Sequence, residues 1–451
     1  MLTYVLLLCV LLVLWLLSFK LSGWELVAPV PLALLGLSAS IALAIVGLST
    51  WNHVEIGFEV ALVIAVGAAS MVVAMVLIEN GARPGLTHAQ VGEDGYRAPI
   101  WKYAVIGVLL IFAIGLRIHE TMELSVQLGA SGTSYSEATA VVRRALSTIH
   151  TADGMRAGIG FSMLERQLEK VVTASGYVVV YLMAHAVAKR EYRRAFPPLA
   201  LFLLASGFCL VSGSRTSILY YVAAFFVLTS VFLFRGHKEK RKNTSIKLLG
   251  VGVAIAAIGC LAFYASSALV GRKASTGLLE YISFYYGCGA PSLQSLIDKG
   301  VPAVAIPGVR TFYFLFSLPF KFGLISDFPS YSIAWVDAGG HGSNVFTGFA
   351  RYYLDFGFAG LVILSVLGAA LMTYLYRAAR KTYAPVLMVL AGYMSVYAFD
   401  FAREEFVFSR LVSPNQFIII AIMLAVTLFL TTSLREDVKR AKAFFSRKRL
   451  A

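Results

Sequence analysis

Charged residues are scarce in this 451-residue chain: Asp, Glu, Lys and Arg make up 14% of it, whereas hydrophobic residues make up 59%. A soluble domain is typically about a quarter charged and about half apolar. The apolar residues occur in long runs, and several runs reach the roughly 20 residues that an α-helix needs to cross a bilayer. These features argue against a single soluble core and predict an all-α polytopic membrane protein.

Cysteine is also rare, and its four positions match neither a disulfide framework nor a metal site. Cys9, Cys209 and Cys260 fall inside apolar runs, and Cys288 stands alone in a predicted external loop. The sequence contains no P-loop and no dense cluster of carboxylates. We therefore expect no metal, no cofactor and no ATP-driven transport by this chain alone.

The net charge of +15 is the next feature to explain. In a soluble protein such an excess can indicate nucleic-acid binding. Here most Lys and Arg residues lie in short loops between apolar runs, and no basic stripe alternates with stacking aromatic residues. We expect these charges to set membrane orientation, and we expect no nucleic-acid partner.

Hydropathy divides the chain into eleven predicted spans within one transmembrane domain that covers residues 1–451. The first apolar run lacks a signal-peptide cleavage pattern, so we expect it to be kept as a helix. The predicted spans are 2–18, 26–48, 57–78, 101–117, 170–188, 196–211, 217–234, 248–269, 353–376, 384–400 and 413–433.

The loops between these spans differ in their basic charge. Of the 39 Lys and Arg residues, 24 fall on one side of the predicted membrane, mostly in short loops and in the basic tail 434–451. By the positive-inside rule this side is cytoplasmic. We therefore expect an N-terminus outside the cytoplasm, a cytoplasmic C-terminus and an odd number of spans.

Two long segments would then lie outside. The first covers 117–169 and includes a predicted helix at 135–149. The second is a large external loop at 271–352, between the eighth and ninth spans, and it is rich in aromatic residues. Within it the stretch 311–325 is apolar but too short to span, which is typical of a re-entrant or interfacial helix.

Polar residues that could carry chemistry lie at the predicted outer boundary of the membrane. Arg215 occupies the turn Ser212-Gly-Ser-Arg-Thr-Ser217 between two spans, where it either anchors the headgroup layer or binds an anion. Arg143 and Arg144 are better explained as a solvated helix face. Arg310 precedes the apolar aromatic stretch.

The densest polar cluster ends the large loop, where a Gly-rich segment carries His341 and Asn344. Arg351 and Asp355 follow with i,i+4 spacing, so they either form an ion pair on one helix face or face a ligand. A further group of charges lies in the last short external loop. These residues either take part in a functional site or form an ordinary solvated surface. The members of the group are Asp400, Arg403, Glu404, Glu405 and Arg410.

Several arginines therefore converge on one side of the membrane. Arginine binds phosphate oxygens through two N–H groups and stays charged. A lipid-linked phosphate or diphosphate that arrives laterally from the bilayer would suit them. The aromatic residues suit a sugar, which presents apolar C–H faces beside hydroxyl groups.

Two stretches, Ser212–Ser217 and Asn344-Val-Phe-Thr-Gly-Phe-Ala-Arg-Tyr-Tyr-Leu-Asp-Phe-Gly357, resemble bacterial oligosaccharide repeat-unit polymerases of the Wzy type, also called O-antigen polymerases. The family pattern reads approximately N-V-Y-T-x-F-R-x-Y-Y-x-D-F-G. Here Phe346 replaces the Tyr, and Arg351 stands near the usual Arg position. The layout of many spans with a large late external loop is also similar.

This resemblance implies a GT-C-like glycosyltransferase that joins repeat units carried on undecaprenyl diphosphate at the outer face of the inner membrane. Its partners would be the lipid-linked oligosaccharide, membrane lipid and a chain-length regulator protein. The implied general base is His341, with Asp355 or Glu404 as the next candidates. The implied substrate-binding residues are Arg215, Arg310, Asn344, Arg351, Tyr352 and Arg403.

Two other functions remain open at this point. An O-antigen ligase uses the same donor with a lipid A-core acceptor, and the segment Gly340-His-Gly-Ser-Asn344 loosely resembles its His/Asn loop. A flippase or secondary transporter would instead carry ionisable residues deep in its spans, where this sequence has almost none. A purely structural scaffold would not need the external Arg, His and Asp residues.

Overall fold

A computed structural model describes residues 1–81, 98–130, 132, 134–147, 160–234, 241–266, 277–301, 304, 306–325, 335–405, 407–411 and 413–432. The predicted cytoplasmic tail 434–451 lies outside the described residues. The helices are α1 (Leu2–Leu21), α2 (Pro29–Gly47), α3 (Phe58–Asn80), α4 (Ile100–Gln127), α5 (Tyr135–Ser147), α6 (Met163–Ala188), α7 (Tyr192–Val211), α8 (Arg215–Leu233), α9 (Arg241–Ala265), α10 (Leu278–Gly287), α11 (Gly289–Asp298), α12 (Tyr313–Lys321), α13 (Gly348–Thr382), α14 (Pro385–Asp400), α15 (Val407–Leu411) and α16 (Pro414–Thr431). Two-residue strands, β1 (Val336–Asp337) and β2 (Gly342–Ser343), form an antiparallel hairpin.

Ten helices of the described residues are long and apolar enough to cross a membrane. They are α1 to α4, α6 to α9, α13 and α16, and the apolar helix α14 is shorter. Proline at the first helical position starts α2, α14 and α16, where its missing N–H costs no helical hydrogen bond. The chain is therefore a multi-pass membrane protein, and its described residues are mostly helical.

Helices α4 and α6 continue well beyond the predicted span ends at 117 and 170. Arg117 forms a buried ion pair with Glu165, and its guanidinium carbon lies 3.8 Å from the centroid of the Phe161 ring. Ser162 caps α6 by accepting a hydrogen bond from the Glu165 N–H at 3.1 Å. The apolar runs end where these charged residues begin, but the Ser162 cap and the Arg117–Glu165 ion pair allow the helices to continue.

One set of helix ends meets on a single face of the bundle, which we call the N-terminal face because it contains Met1. The Tyr4 hydroxyl, near the start of α1, donates to the Val54 carbonyl before α3 at 2.9 Å. The Tyr220 hydroxyl, near the start of α8, donates to Asp400 at the end of α14 at 2.5 Å.

The other helix ends meet on the opposite face. Glu25, after α1, pairs with Arg380 at the end of α13 at 2.5 Å. The Lys102 ammonium, at the start of α4, donates to the Phe429 carbonyl at 2.7 Å and to the Thr432 carbonyl at 3.0 Å. A cation there stabilises the carbonyl end of α16. These contacts make successive apolar helices antiparallel, as the loop alternation predicts.

Helix α13 is broken near its start, where Gly357 has φ 61° and ψ −158°. This conformation is accessible essentially to glycine alone. The short piece before the break, which carries Arg351, Tyr352 and Asp355, therefore leaves the axis of the long piece that follows. It lies against the segment after α14, and this placement builds the site described below.

The most extensive helix pair among the described residues is α3 against α13. A Cβ atom at Gly67 of α3 would overlap the fully buried Phe349 ring of α13. We expect Gly67→Ala to destabilise the protein by about 1–3 kcal/mol through overpacking. Gly115→Ala is the matched control, because no atom lies within 4 Å of a Cβ there. Unfolding in micelles of rising SDS fraction measures both, and equal stabilities would contradict this packing.

Candidate functional site

A cavity of about 230 Å³ opens on the N-terminal face, where α8 begins and α14 ends. Three separate segments contribute to it. They are the start of α8 with the preceding Ser214, Val345 just before α13, and the segment from the end of α14 to α15. Its lining residues are Ser214, Thr216, Ser217, Tyr220, Val345, Asp400, Arg403, Glu404 and Arg410.

The first wall of the cavity is the start of α8. Gly213 turns the chain with φ +74°, and the Ser214 N–H donates to the Cys209 carbonyl at 2.8 Å. The hydroxyl oxygens of Ser214 and Ser217 lie 2.7 Å apart. The first N–H groups of a helix have no partner within the helix, and the helix dipole makes this end positive. Together with the hydroxyl groups they offer donors to an anion.

Arg403 forms the second wall, and its guanidinium is held on two sides. It pairs with Asp400 at 3.1 Å, and its central carbon lies 4.9 Å from the centroid of the Tyr285 ring. Its Nε atom is buried and has no hydrogen-bond partner among the described residues. Burial alone would lower the pKa of Arg403, but Asp400 and nearby tyrosine hydroxyls raise it. The guanidinium thus stays charged and keeps a donor for a ligand.

Glu404 and Arg410 complete the charged lining. The Glu404 side chain is 39% exposed, and its Oε1 accepts a hydrogen bond from Arg351 at 2.9 Å. Arg410 is solvent-exposed where it lines the cavity. The lining thus contains two guanidinium groups, Arg403 and Arg410, and two carboxylates, Asp400 and Glu404. Their formal charges balance, and the start of α8 adds partial positive charge.

Two adjacent residues of α13 bind two adjacent carboxylates of this segment. Arg351 pairs with Glu404, and the Tyr352 hydroxyl donates to Glu405 at 2.8 Å. Glu405 is fully buried and also accepts from the backbone N–H groups of Phe408 and Ser409 at 2.8 Å each, which caps α15. Burial raises the pKa of Glu405, although these hydrogen bonds oppose the shift. The contacts fix α15, which carries Arg410, relative to α13.

We call the contacts of Arg351 with Glu404 and of Tyr352 with Glu405 the clamp. The hydroxyl group of Tyr352 gives a direct test of it. We expect Tyr352→Phe to destabilise the protein by about 1–3 kcal/mol, because a buried carboxylate loses a donor. The neighbouring substitution Tyr353→Phe is the control, since that hydroxyl donates to the exposed Glu59 and should matter little. SDS-induced unfolding compares the two variants. A larger effect at Tyr353 would contradict the assigned role of Tyr352.

Arg310 and Asp355 lie beneath this clamp and do not line the cavity. Their side chains are buried and approach each other at 3.5 Å, while the Thr311 N–H donates to Asp355 at 2.7 Å. Arg351 donates to the Arg310 carbonyl at 2.7 Å. The ion pairs thus join Arg351 to Glu404 and Asp355 to Arg310, and the i,i+4 spacing does not by itself determine the partners.

Arg215 is also buried, and it points away from the cavity. It donates to the Phe263 carbonyl at 2.5 Å and to the Tyr281 hydroxyl at 3.3 Å. Its central carbon lies 4.2 Å from the centroid of the Phe263 ring. Arg215 therefore joins the start of α8 to α9 and α10, whereas its neighbours Ser214 and Thr216 line the cavity.

His341 lies at the tip of the β1–β2 hairpin, outside the cavity. Its Nε2 atom is 3.4 Å from the Glu280 carboxylate, and its ring centroid is 5.1 Å from that of Phe284. Asn344 is exposed immediately before Val345, which lines the cavity. The structure thus brings Arg403 and Glu404 into the cavity, puts Arg351 and Tyr352 behind it, and leaves His341 beside it.

Seven lining residues are absent from the catalytic and substrate-binding residues that the resemblance implied: Ser214, Thr216, Ser217, Tyr220, Val345, Asp400 and Arg410. Asp400 and Arg410 carry a signal, since they belong to the charged last loop. The hydroxyl residues follow a tight turn at the start of an apolar run, which is the pattern of a helix N-terminus. That pattern could have indicated an anion site.

Comparison of the chain with models of protein families, with curated proteins and with solved structures found no match. The functional argument therefore depends on the cavity and its surroundings.

Proposed function

We propose that this protein is a GT-C-like glycosyltransferase of the bacterial inner membrane with eleven spans, α14 being the short one. It would polymerise oligosaccharide repeat units carried on undecaprenyl diphosphate, as repeat-unit polymerases of the Wzy type do. The observation that supports this most directly is the cavity, which lies among the helix ends of the N-terminal face and contains Arg403 and the start of α8. A lipid-linked diphosphate has its charge at this level while its tail stays in the bilayer.

In this proposal the cavity binds the diphosphate of the donor. Arg403, Arg410 and the first N–H groups of α8 contact the phosphate oxygens. Negative charge grows on the diphosphate as the bond between the sugar C1 and the phosphate oxygen breaks. Fixed donors around that oxygen lower the barrier, because they need not reorganise during the reaction.

Glu404 is the base in this proposal. It accepts the proton of an acceptor sugar hydroxyl as that oxygen bonds to C1, and the electron pair of the broken bond leaves with the lipid diphosphate. The proton then passes from Glu404 to water. Glu404 is half-exposed on the cavity wall, whereas Asp355 is buried against Arg310 and His341 lies outside.

The proposed orientation puts the N-terminal face in the periplasm. Lys20, Lys189 and Arg193 all occur at helix ends of the opposite face, near the ends of α1 and α6 and the start of α7. The positive-inside rule assigns such a face to the cytoplasm. The donor would then meet the cavity from the outer leaflet.

The decisive test is an assay with the full-length protein in lipid nanodiscs, supplied with undecaprenyl-diphosphate-linked repeat units. We expect a ladder of products that differ by one repeat unit on a gel. Movement of lipid-linked units across the bilayer without a ladder would overturn the proposal in favour of a flippase. A deletion strain that accumulates long polymer on its lipid carrier would instead indicate a ligase.

A further inference from the structure

Helix α10 has one face packed into the bundle and another that borders the outside. On the packed face the Trp51 indole N–H donates to the Ser283 hydroxyl at 2.9 Å, and the Ser40 hydroxyl donates to the Tyr286 carbonyl at 2.8 Å. The other face is half-exposed and consists of Glu280, Tyr281, Phe284 and Tyr285. Of this second face, only Tyr285 has a role so far, since its ring lies against Arg403.

Four aromatic rings form a continuous surface on this side. The rings of Tyr281 and Tyr285, one helical turn apart, stack with centroids 5.7 Å apart and an interplanar angle of 26°. The Phe263 ring contacts both, and Tyr264 meets Tyr281 edge to face at 5.4 Å. We call Phe263, Tyr264, Tyr281 and Tyr285 the aromatic platform.

The aromatic platform is joined to the cavity at two points. Arg403, which lines the cavity, lies over the Tyr285 ring. Arg215 donates to the Tyr281 hydroxyl, and its chain neighbours Ser214 and Thr216 line the cavity. A molecule whose charged group fills the cavity would therefore extend across these rings.

A polar pair stands beside the platform, formed by Glu280 on the same face of α10 and by His341 at the tip of the β1–β2 hairpin. Glu280 and His341 approach each other at 3.4 Å, and their side chains are 29% and 38% exposed. Phe284 packs under the imidazole ring. Partly exposed carboxylate and imidazole groups can exchange hydrogen bonds with hydroxyl groups of a ligand.

We propose that the aromatic platform and the Glu280–His341 pair bind a sugar ring of the substrate, next to the diphosphate in the cavity. This inference rests on the proposed function and gives His341 a binding role. A pyranose presents C–H groups to the ring faces and hydroxyl groups to the polar pair. A polyprenyl tail uses only the rings and would leave Glu280 and His341 without ligand contacts.

The test uses two probes with the full-length protein in nanodiscs. The first is a set of short oligosaccharides prepared by partial acid hydrolysis of the surface polysaccharide of the producing strain. The second is undecaprenyl diphosphate without sugar. Binding of each is measured for the wild type, Tyr281→Ala, Tyr281→Phe and Glu280→Gln. Tyr192→Ala is the matched control, since this tyrosine is 61% exposed on the opposite face.

We expect Tyr281→Ala to weaken oligosaccharide binding roughly tenfold, because an apolar ring face is lost. Tyr281→Phe should stay within about twofold of the wild type, since it keeps the ring face. Glu280→Gln should weaken the oligosaccharide, and the Tyr192 variant should not. Binding of undecaprenyl diphosphate should be unchanged in all four variants.

Unchanged oligosaccharide binding in both Tyr281→Ala and Glu280→Gln would overturn the sugar site, even where the wild type makes polymer. Equal losses of both probes in Tyr281→Ala would also overturn it, because the ring would then only support the cavity. If the wild type makes no polymer but the oligosaccharide losses appear as expected, the sugar site is supported and the polymerase proposal fails.

Discussion

Replacing Arg403 by lysine is expected to reduce polymer formation by about 100- to 1000-fold, even though the charge is kept. The guanidinium is oriented by Asp400 on one side and by the Tyr285 ring on another, and its buried Nε has no partner among the described residues. A lysine ammonium has neither the planar face nor the fixed set of donors. The diphosphate would lose directed hydrogen bonds where its charge increases.

The initial rate of ladder formation in nanodiscs measures this effect. Arg166→Lys is the matched control, because Arg166 is exposed at the start of α6 on the same N-terminal face. Size-exclusion profiles establish that both variants fold and that they enter the nanodiscs in equal amounts. A rate for Arg403→Lys within a few-fold of the control would show that the guanidinium does not bind the diphosphate.

Glu404→Gln is expected to lower kcat by about 100- to 10,000-fold and to change KM much less. Glutamine keeps the shape of the side chain but cannot accept a proton from the acceptor hydroxyl. The donor would still bind, because Arg403, Arg410 and the start of α8 are unchanged. The corresponding change at Glu55, which is 84% exposed on the same face, should have no effect.

Because Glu404 also pairs with Arg351, its loss could act through position alone. Glu404→Ala separates the two roles, since it leaves space in which formate can supply the missing carboxylate. We expect formate to restore a measurable part of the rate in this variant and none in Arg403→Lys. A Glu404→Ala variant that is inactive and insensitive to formate would identify Glu404 as a support for Arg351 only.

The sequence predicts the membrane architecture well, because apolar runs depend on local composition. The apolar stretch 311–325 contains α12, and Phe322 and Leu324 after it are each 75% exposed. Its re-entrant or interfacial placement stays a prediction. The helix ends were less predictable. The continuation of α4 and α6 depends on the pairing of Arg117 with Glu165, and hydropathy does not reveal which distant charges will meet.

The same contrast holds in the candidate site, where the residue types can be predicted from the sequence but their contact partners cannot. Composition identifies the charged residues of the last loop, and four of them, Asp400, Arg403, Glu404 and Arg410, line the cavity. It does not indicate that Arg215 and Arg310 are buried in contacts with other helices. Nor does it distinguish a residue that faces the ligand from one that supports such a residue, as Tyr352 supports Glu405. These roles are set by contacts between residues far apart in the chain.

The clamp between α13 and the segment after α14 has a consequence for chimeric proteins. Both contacts join residues 53 positions apart, Arg351 with Glu404 and Tyr352 with Glu405. A graft that replaced only one of these dipeptides would leave the other without its partners, one of them a fully buried carboxylate. The smallest portable unit of this site is therefore discontinuous: both dipeptides must be transferred together, although the remainder of α13 and α14 lies between them.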